Sequence, residues 1–297
     1  MSDFVKQQNS ISNFSSADSW VILSPIEQGI KRKIEAVGTP LKDWDINIYR
    51  GVLTGCNEAF IINSEKRNEI LANCQTDDEC NRTAELIRPI LRGRDIKRYG
   101  YIDNGLYLIN VHNGIKGRVP RIKIEDYPAI KTHLDKYWDN ISKRADKGDT
   151  PYNLRNCAYL DDFSLPKIIW KRIGSILRFS YDNKGCLGLD STCFAVGEEI
   201  EYLCGVLNSI MGHYLLKDSP KTGTGDLLVS VQALEPIRIP YDTPYKGRLS
   251  NLLKKQVTCY SIATEKEIND LVFTIYGLSI TEQEYVTNFI KQSLQSQ

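Results

Sequence analysis

Histidine is nearly missing from this chain of 297 residues: His112, His133 and His213 are the whole supply, and they are dispersed. Eight cysteines are present, yet none forms a C-x-x-C pair. The nearest spacings, Cys74 to Cys80 and Cys186 to Cys193, are too wide for a usual zinc knuckle. No metal constellation emerges, and the cysteines read as reduced, mostly buried small apolar residues. That usage fits a cytoplasmic setting. No apolar run approaches the roughly 18 residues that a membrane span needs. The opening MSDFVKQQNSISNF lacks a basic segment followed by an apolar one, so no secretory leader is expected.

Catalytic signatures are missing too. There is no G-x-S-x-G, no H-E-x-x-H and no Walker G-x-x-x-x-G-K. The nuclease pattern of Pro-Asp followed by Asp/Glu-x-Lys places two metal-binding carboxylates near a lysine. Only its second half occurs, as Asp95-Ile96-Lys97 and Asp182-Asn183-Lys184, and the latter reads as a turn. The Asp/Asn-Pro-Pro-Tyr/Phe pattern of adenine amino-methyltransferases is absent, with its glycine-rich methyl-donor loop. Asp161-Asp162 reads as a turn, since adjacent residues on a strand point to opposite faces. Lys221-Thr222-Gly223-Thr224-Gly225 has only G-x-G and follows a helix, which suits a flexible loop near a partner better than a phosphate cradle. A divergent nuclease or methyltransferase using Asp95, Asp161 or Asp162 is a minor alternative.

What is present is ordinary globular composition, 41% hydrophobic and 25% charged. A chain of this length can remove about 75% of its unfolded surface from water. Ser24-Pro25-Ile26-Glu27 predicts a helix start with a capping box, the helix running to Val37. Ile46–Val52 and Ala59–Asn63 read as strands of a hairpin-like unit turning at Thr54–Asn57. Residues 64–88 read as helical with a break near Thr76. Arg98–Asp103 and Leu106–Val111 read as strands joined at Asp103-Asn104-Gly105. Residues 126–145 read as one amphipathic helix with Ile130, Leu134, Trp138 and Ile141 on a face. Lys167–Ile173, Ile176–Tyr181 and Leu187–Val196 form a second strand-rich block with a turn at 182–185. Glu198–Lys217 reads as one long helix, and Ile237–Pro240 as a short extended stretch. Helices at about 245–262, 265–276 and 281–294 close the chain, the last capped by Thr281 with Glu284. The fold class expected is α+β: small mixed sheets with flanking helices over 1–244, then a helical segment over 245–297. Strands come in hairpin pairs, which disfavours a doubly wound parallel sheet.

The net charge of +1 hides segregation. Residues 82–155 carry 16 basic and 9 acidic side chains, whereas residues 1–81 and 186–297 are each net acidic. A basic middle of this kind can mark a polyanion-binding face. Arg92-Gly93-Arg94-Asp95-Ile96-Lys97-Arg98-Tyr99 packs four cations beside glycine, and arginine suits bidentate contacts to guanine edges and phosphates. Asp95 is expected to pair with one of these arginines and Tyr99 to pack, so this motif divides between fold and DNA roles. Lys116-Gly117-Arg118-Val119-Pro120-Arg121 reads as an exposed basic loop. Lys143, Arg144 and Lys147 close a helix, where they also satisfy its C-terminus. Lys171, Arg172 and Arg178 lie on paired strands, and Lys221 opens the glycine loop.

At these residues the chain resembles a known family, the TaqI-like C-terminal specificity domain. This is the target-recognition region of type IIG restriction–modification enzymes and related adenine-specific DNA methyltransferases. The resembling stretches are Ile48–Ile62 (IYRGVLTGCNEAFII), Ile87–Tyr99 (IRPILRGRDIKRY), Tyr127–Gly148 (YPAIKTHLDKYWDNISKRADKG) and Pro166–Trp170 (PKIIW). Leu207–Ser209 (LNS), Leu234–Pro240 (LEPIRIP) and the ending DLVFTIYGL follow in the same order. The ordered set reaches from about Trp20 to about Leu278.

The resemblance implies a mixed α/β recognition body that grips duplex DNA beside a methyltransferase domain. That domain would flip out the target adenine. It would carry S-adenosylmethionine, and any Mg, so no cofactor is expected in this chain, which looks like the specificity portion alone. General DNA contact is carried over to Arg92, Arg94, Lys97 and Arg98, while the loop cations are inferred from charge. An alternative is a noncatalytic subunit docking on a methyltransferase or nuclease chain. Its docking stripe would be Ile268, Leu271, Val272 and Ile275, unless these fill the domain's own core.

Overall fold

A computed structural model describes residues 23–295, so the polar leader lies outside the described residues. Helix α1 (Pro25–Val37) begins as the sequence predicts. Glu27 donates its N–H to Ser24 Oγ, and the Glu27 carboxylate accepts from Ser24 N at 2.8 Å. Strands β1 (Thr39–Pro40) and β2 (Ile46–Arg50) follow. A single turn of helix, α2 (Asn57–Phe60), leads into β3 (Ile61–Asn63). Helices α3 (Ser64–Ala72) and α4 (Asp77–Leu86) are separated by a break at Thr76, whose hydroxyl caps α4. Then come β4 (Ile87–Leu91), β5 (Leu106–Ile109), α5 (Pro128–Asp135) and α6 (Trp138–Ile141). The second strand-rich block comprises β6 (Lys167–Lys171), β7 (Ile173–Gly174), β8 (Phe179–Asp182), β9 (Leu187–Gly188) and β10 (Thr192–Gly197). Helices α7 (Ile200–Asn208) and α8 (Ile210–Leu215), β11 (Leu227–Leu228), α9 (Val231–Leu234) and β12 (Arg238–Ile239) come next. The chain ends in α10 (Lys246–Thr258), α11 (Ile262–Ile275) and α12 (Ile280–Gln295).

The class is α+β, as the sequence implies. A first sheet has strand order β2-β10-β6-β8, all antiparallel, and a second has order β3-β5-β4-β9 with only β4 and β9 parallel. Two-stranded ladders β1–β12 and β7–β11 flank them. Strands β6 and β10 are apolar on both faces, the pattern of strands buried on both sides. Ile168, Trp170, Cys193 and Ala195 point into a core shared with α1, α7 and the three terminal helices. Their neighbours Ile169, Phe194 and Val196 point into a second core shared with β3, β4, β5, α3 and α5. The first sheet is thus the middle layer, with helices on one side and the second sheet on the other. The first core takes residues from both sides of position 244, among them Leu207, Leu249, Ile268 and Val286.

Several local expectations are corrected. Residues 46–63 do not form a hairpin, because β2 and β3 belong to different sheets. After β2 the backbone crosses between them: Gly51 N–H donates to Thr192 O and Val52 N–H to Gly188 O. A Cβ on Gly51 would fall 2.1 Å from Leu189 O, so only glycine permits this approach. Residues 98–103 are not a strand; buried Tyr99 has φ of 70°, a left-handed conformation, and makes only an isolated bridge to Ser180 of β8. Leu187–Val196 is two strands in two sheets, parted by a turn in which Thr192 N–H and hydroxyl both donate to Leu189 O. The 126–145 helix breaks after Asp135, which leaves Trp138 44% exposed while Ile130, Leu134 and Ile141 stay buried. The 198–217 helix breaks at Ser209, whose hydroxyl caps α8 by accepting from Gly212 N. Buried Asn208 instead turns its amide to β8, accepting from Phe179 N at 3.1 Å and donating to Phe179 O at 2.7 Å. The last helix is capped by Ser279 with Glu282, not Thr281 with Glu284.

Candidate nucleic-acid interface

The candidate cations fall into three structural situations. In the first, the guanidinium is absorbed by the protein. Arg92 forks onto buried Asp95, with Nε and Nη2 at 3.0 and 2.9 Å from its two oxygens. Burial by itself would raise the Asp95 carboxyl, but these bonds, the Arg92 N–H and Asn104 hold it below the usual carboxylate range. Arg98 donates to Asn208 O at 2.5 Å, pairs with Glu265 and lies over the Tyr99 ring. It therefore ties the segment after β4 to α7 and α11. Arg144 is 7% exposed and donates to the carbonyls of Thr54, Asp146, Pro151 and Asn153 while lying over Phe60. Burial drops its guanidinium to about 10. The matched motifs RGVLTG and RGRDIKRY are thus seen here mainly as scaffold: Thr54 receives Arg144, and Gly55 takes the left-handed conformation.

In the second situation the cation is exposed but already paired. Arg118 pairs with Asp161 and Arg121 with Asp149, the latter at 3.3 Å. Asn113 holds this loop pair together by accepting from Asp149 N and donating to Asp149 and Asn156. Lys147 donates to Ser142 O at 2.8 Å, and half-buried Lys97 to Arg94 O at 3.4 Å. Lys116 and Lys143 are exposed, and their side chains have no hydrogen-bond or ion-pair partner among the described residues.

The third situation is a rim at one end of the first sheet. Register brings it together from distant sequence. Lys171, the last residue of β6, lies opposite Thr192, and Arg50, the last of β2, opposite Cys193. Between them, the Asp190–Ser191 turn accepts Arg172 N on Ser191 O and Gly93 N on Ser191 Oγ at 3.1 Å. Gly93 sits so close that an added Cβ would meet Lys171 Cγ at 2.9 Å, which places Arg94 beside Lys171. The rim continues through Arg172 and β7, paired to β11, to Lys221, which bridges Leu227. The side chains of Arg94, Lys171 and Lys221 are exposed and, like that of half-buried Arg178, have no hydrogen-bond or ion-pair partner among the described residues. The Arg172 Nε is buried without a partner. Arg50 is the rim cation that sequence reasoning missed. It leans on Asp190, with Nη2 3.7 Å from Oδ2, and its neighbours lie more than 40 residues away in sequence. The remaining acidic candidates give no convergent site. Asp182 is sealed against Lys167, and among the described residues no group of three or more His, Cys, Asp or Glu could hold a metal ion.

A row of unpaired cations gathered at one sheet end can attract a polyanion. The profile of the TaqI-like C-terminal specificity domain matches residues 88–237. The chain belongs to this family. Every cation proposed from the sequence lies inside the matched span, whereas α10 to α12 lie beyond it. Among solved structures the chain is similar to the type IIL restriction–modification enzyme MmeI in complex with DNA. The TM-score is 0.58 at 12% identity, over 87% of this chain and 37% of that one. It also aligns with the type IIG restriction endonuclease BpuSI at TM-score 0.46 and 16% identity, over 84% of this chain and 32% of that one. The likeness to MmeI is one of fold, and the chain spans about a third of the length of either enzyme. No curated protein matches the chain. Among the described residues, no helix is long and apolar enough to cross a membrane.

Proposed function

We propose that this specificity domain reads a short sequence in double-stranded DNA for a restriction–modification enzyme that methylates adenine, and that it works in the cytoplasm. The observation that carries this reading is the rim of Arg94, Lys171, Arg172 and Lys221, held at one end of a sheet buried on both faces. Such cations supply the salt-dependent grip on phosphates, while nearby loop side chains read base edges. Lys97, Lys116, Arg118, Arg121, Lys143, Lys147 and Arg178 make up its wider electrostatic footprint. Arg92, Arg98 and Arg144 act behind it as scaffold. S-adenosylmethionine and Mg belong to a catalytic domain or chain beside this one, and this domain contributes no catalytic group. Selection from randomised duplexes at two salt concentrations, with the chain alone and with its methyltransferase domain, tests the reading. An enriched short motif, with affinity falling steeply as salt rises, is expected. Equal binding to every duplex would overturn it.

A docking role beside DNA reading is favoured by one patch. Ile262 and Ile280 are 78% and 70% exposed and line the same groove between α11 and α12. The stripe Ile268, Leu271, Val272 and Ile275, by contrast, is buried in the first core. We propose a methyltransferase domain as its occupant. Co-purification lost on Ile262→Glu, with DNA selection unchanged, is the expected result. Retained co-purification would exclude this patch.

A further inference from the structure

The rim ends in a two-stranded ribbon. Strands β7 and β11 pair antiparallel, with Ile173 opposite Leu228 and Gly174 opposite Leu227. Val229 N–H donates to Arg172 O at 2.9 Å and lengthens the pairing by one bond. On its other edge β11 donates from Leu228 N–H to Pro220 O at 2.7 Å, which brings Lys221 alongside. Residues 175–178 then connect β7 to β8. Leu177 anchors this connection in the first core. Its neighbour Ile176 is 47% exposed and belongs to neither core among the described residues. A Cβ built on Gly174 would lie 3.7 Å from Ile176 O and 3.8 Å from Lys171 Nζ, so the connection folds back against the Lys171 side chain. Arg178, two residues on, adds a guanidinium with no hydrogen-bond or ion-pair partner among the described residues.

A single exposed isoleucine is ordinary on a protein surface. This one is set apart by its place, an aliphatic side chain that packs in no core and stands among unpaired cations. Such cations draw a phosphate backbone to the surface, and the groove beside that backbone offers one alkyl group on a base edge, the 5-methyl of thymine. The major groove, about 12 Å wide, admits a two-stranded β-ribbon. We infer that the β7–β11 ribbon enters the major groove and that Ile176 rests against a thymine methyl in the recognised sequence, which makes it a specificity-determining residue. This contact rests on the DNA reading above and names one base interaction within it. Lys171 and Arg178 would hold the backbone beside it and carry no sequence information themselves.

Uracil pairs as thymine does but lacks the methyl group, so it deletes the contact from the DNA side alone. In the duplex selected by the chain with its methyltransferase domain, each thymine is replaced by uracil in turn. One position is expected to lose about fourfold in affinity, the worth of one buried methyl-sized group. Ile176→Ala should bind the thymine duplex about fourfold more weakly and lose nothing further with uracil at that position. Its selected motif should relax at that base pair and stay unchanged elsewhere. Its melting temperature and salt slope should match the parent's, since the side chain is exposed and uncharged. Lys171→Gln, by contrast, should bind every duplex more weakly and keep the full uracil effect. A parent chain indifferent to uracil at every position, or an Ile176→Ala variant that keeps the full uracil effect, would overturn the inference and leave the DNA reading standing. A chain that selects no duplex would sink the DNA reading and this contact with it.

Discussion

Lys167 and Asp182 face each other directly across β6 and β8, both fully buried, with Nζ 2.5 Å from Oδ2. The ammonium also donates to Phe163 O at 2.7 Å. The carboxylate accepts from Tyr101 Oη, Lys184 N and Cys186 N, so it folds the 182–186 turn as well as pairing the strands. Removing one partner leaves a buried charge uncompensated. Lys167→Met is therefore expected to cost about 3–5 kcal/mol, read from urea denaturation midpoints. The double variant Lys167→Met, Asp182→Asn should cost less than Lys167→Met alone. A larger loss in the double variant would show that the pair is not the dominant interaction there.

Arg144 and Lys143 are neighbours in sequence with opposite assignments. Arg144 ties four carbonyls and covers Phe60, while the Lys143 side chain is exposed, with no hydrogen-bond or ion-pair partner among the described residues. Arg144→Ala should destabilise by about 3 kcal/mol, because it strands buried carbonyls. Arg144→Lys should recover little, since an ammonium cannot span the guanidinium fork. Lys143→Ala should stay within about 0.5 kcal/mol. Thermal or chemical melts of the three variants decide this.

The rim makes the reverse prediction. Arg94→Gln with Lys171→Gln should leave the melting temperature unchanged and weaken duplex binding at every sequence alike. The slope of log affinity against log salt should fall by about 2, close to 0.9 per lost phosphate contact. Arg118→Gln should change this slope less, because its guanidinium is already paired with Asp161. An unchanged slope in the double variant would remove the rim from the interface.

Acid should unfold this chain through its histidines. Burial holds His213 down to about 3 and also lowers His112 and His133. The unfolded chain takes up these protons near the ordinary value of 6.5, and the folded chain does so only at lower pH. The stability they contribute is complete above pH 6.5 and declines as pH falls through the window down to about 3. For His213 alone the decline approaches about 1.4 kcal/mol per pH unit. Urea midpoints at pH 7.5, 6 and 5 should show it, and His213→Leu should flatten the curve. A flat curve in the parent chain would contradict the burial of all three rings.

Local signals in the sequence carried far. The Ser24 capping box, the Thr76 break and the 182–185 turn each depend on residues within a few positions, and each stands where the sequence places it. Pairing partners were illegible where a single backbone contact redirects the chain. Gly51 steers β2 away from β3, and Tyr99 breaks the strand after β4. The same holds for the site. That Asp95 takes an arginine of its own motif was legible, because Arg92 is three residues away. Arg98 to Glu265 and Arg144 to Thr54 could not, since the partners lie far along the chain. Arg50 escaped notice because nothing near it in sequence is part of the rim.

Phe194 and Ala195 are adjacent on β10 and serve opposite cores. A slip of one residue along β10 would drive a phenyl ring into the space of a methyl group and leave a void behind it. Register in the middle layer is therefore constrained from both sides at once, and the chain cannot shift one half to accommodate the other. The cations at the strand ends inherit that fixity while standing outside both cores. Side chains at the rim can be exchanged without disturbing the packing that positions them. The packing that frames the rim and the cations that stand on it belong to separate residues.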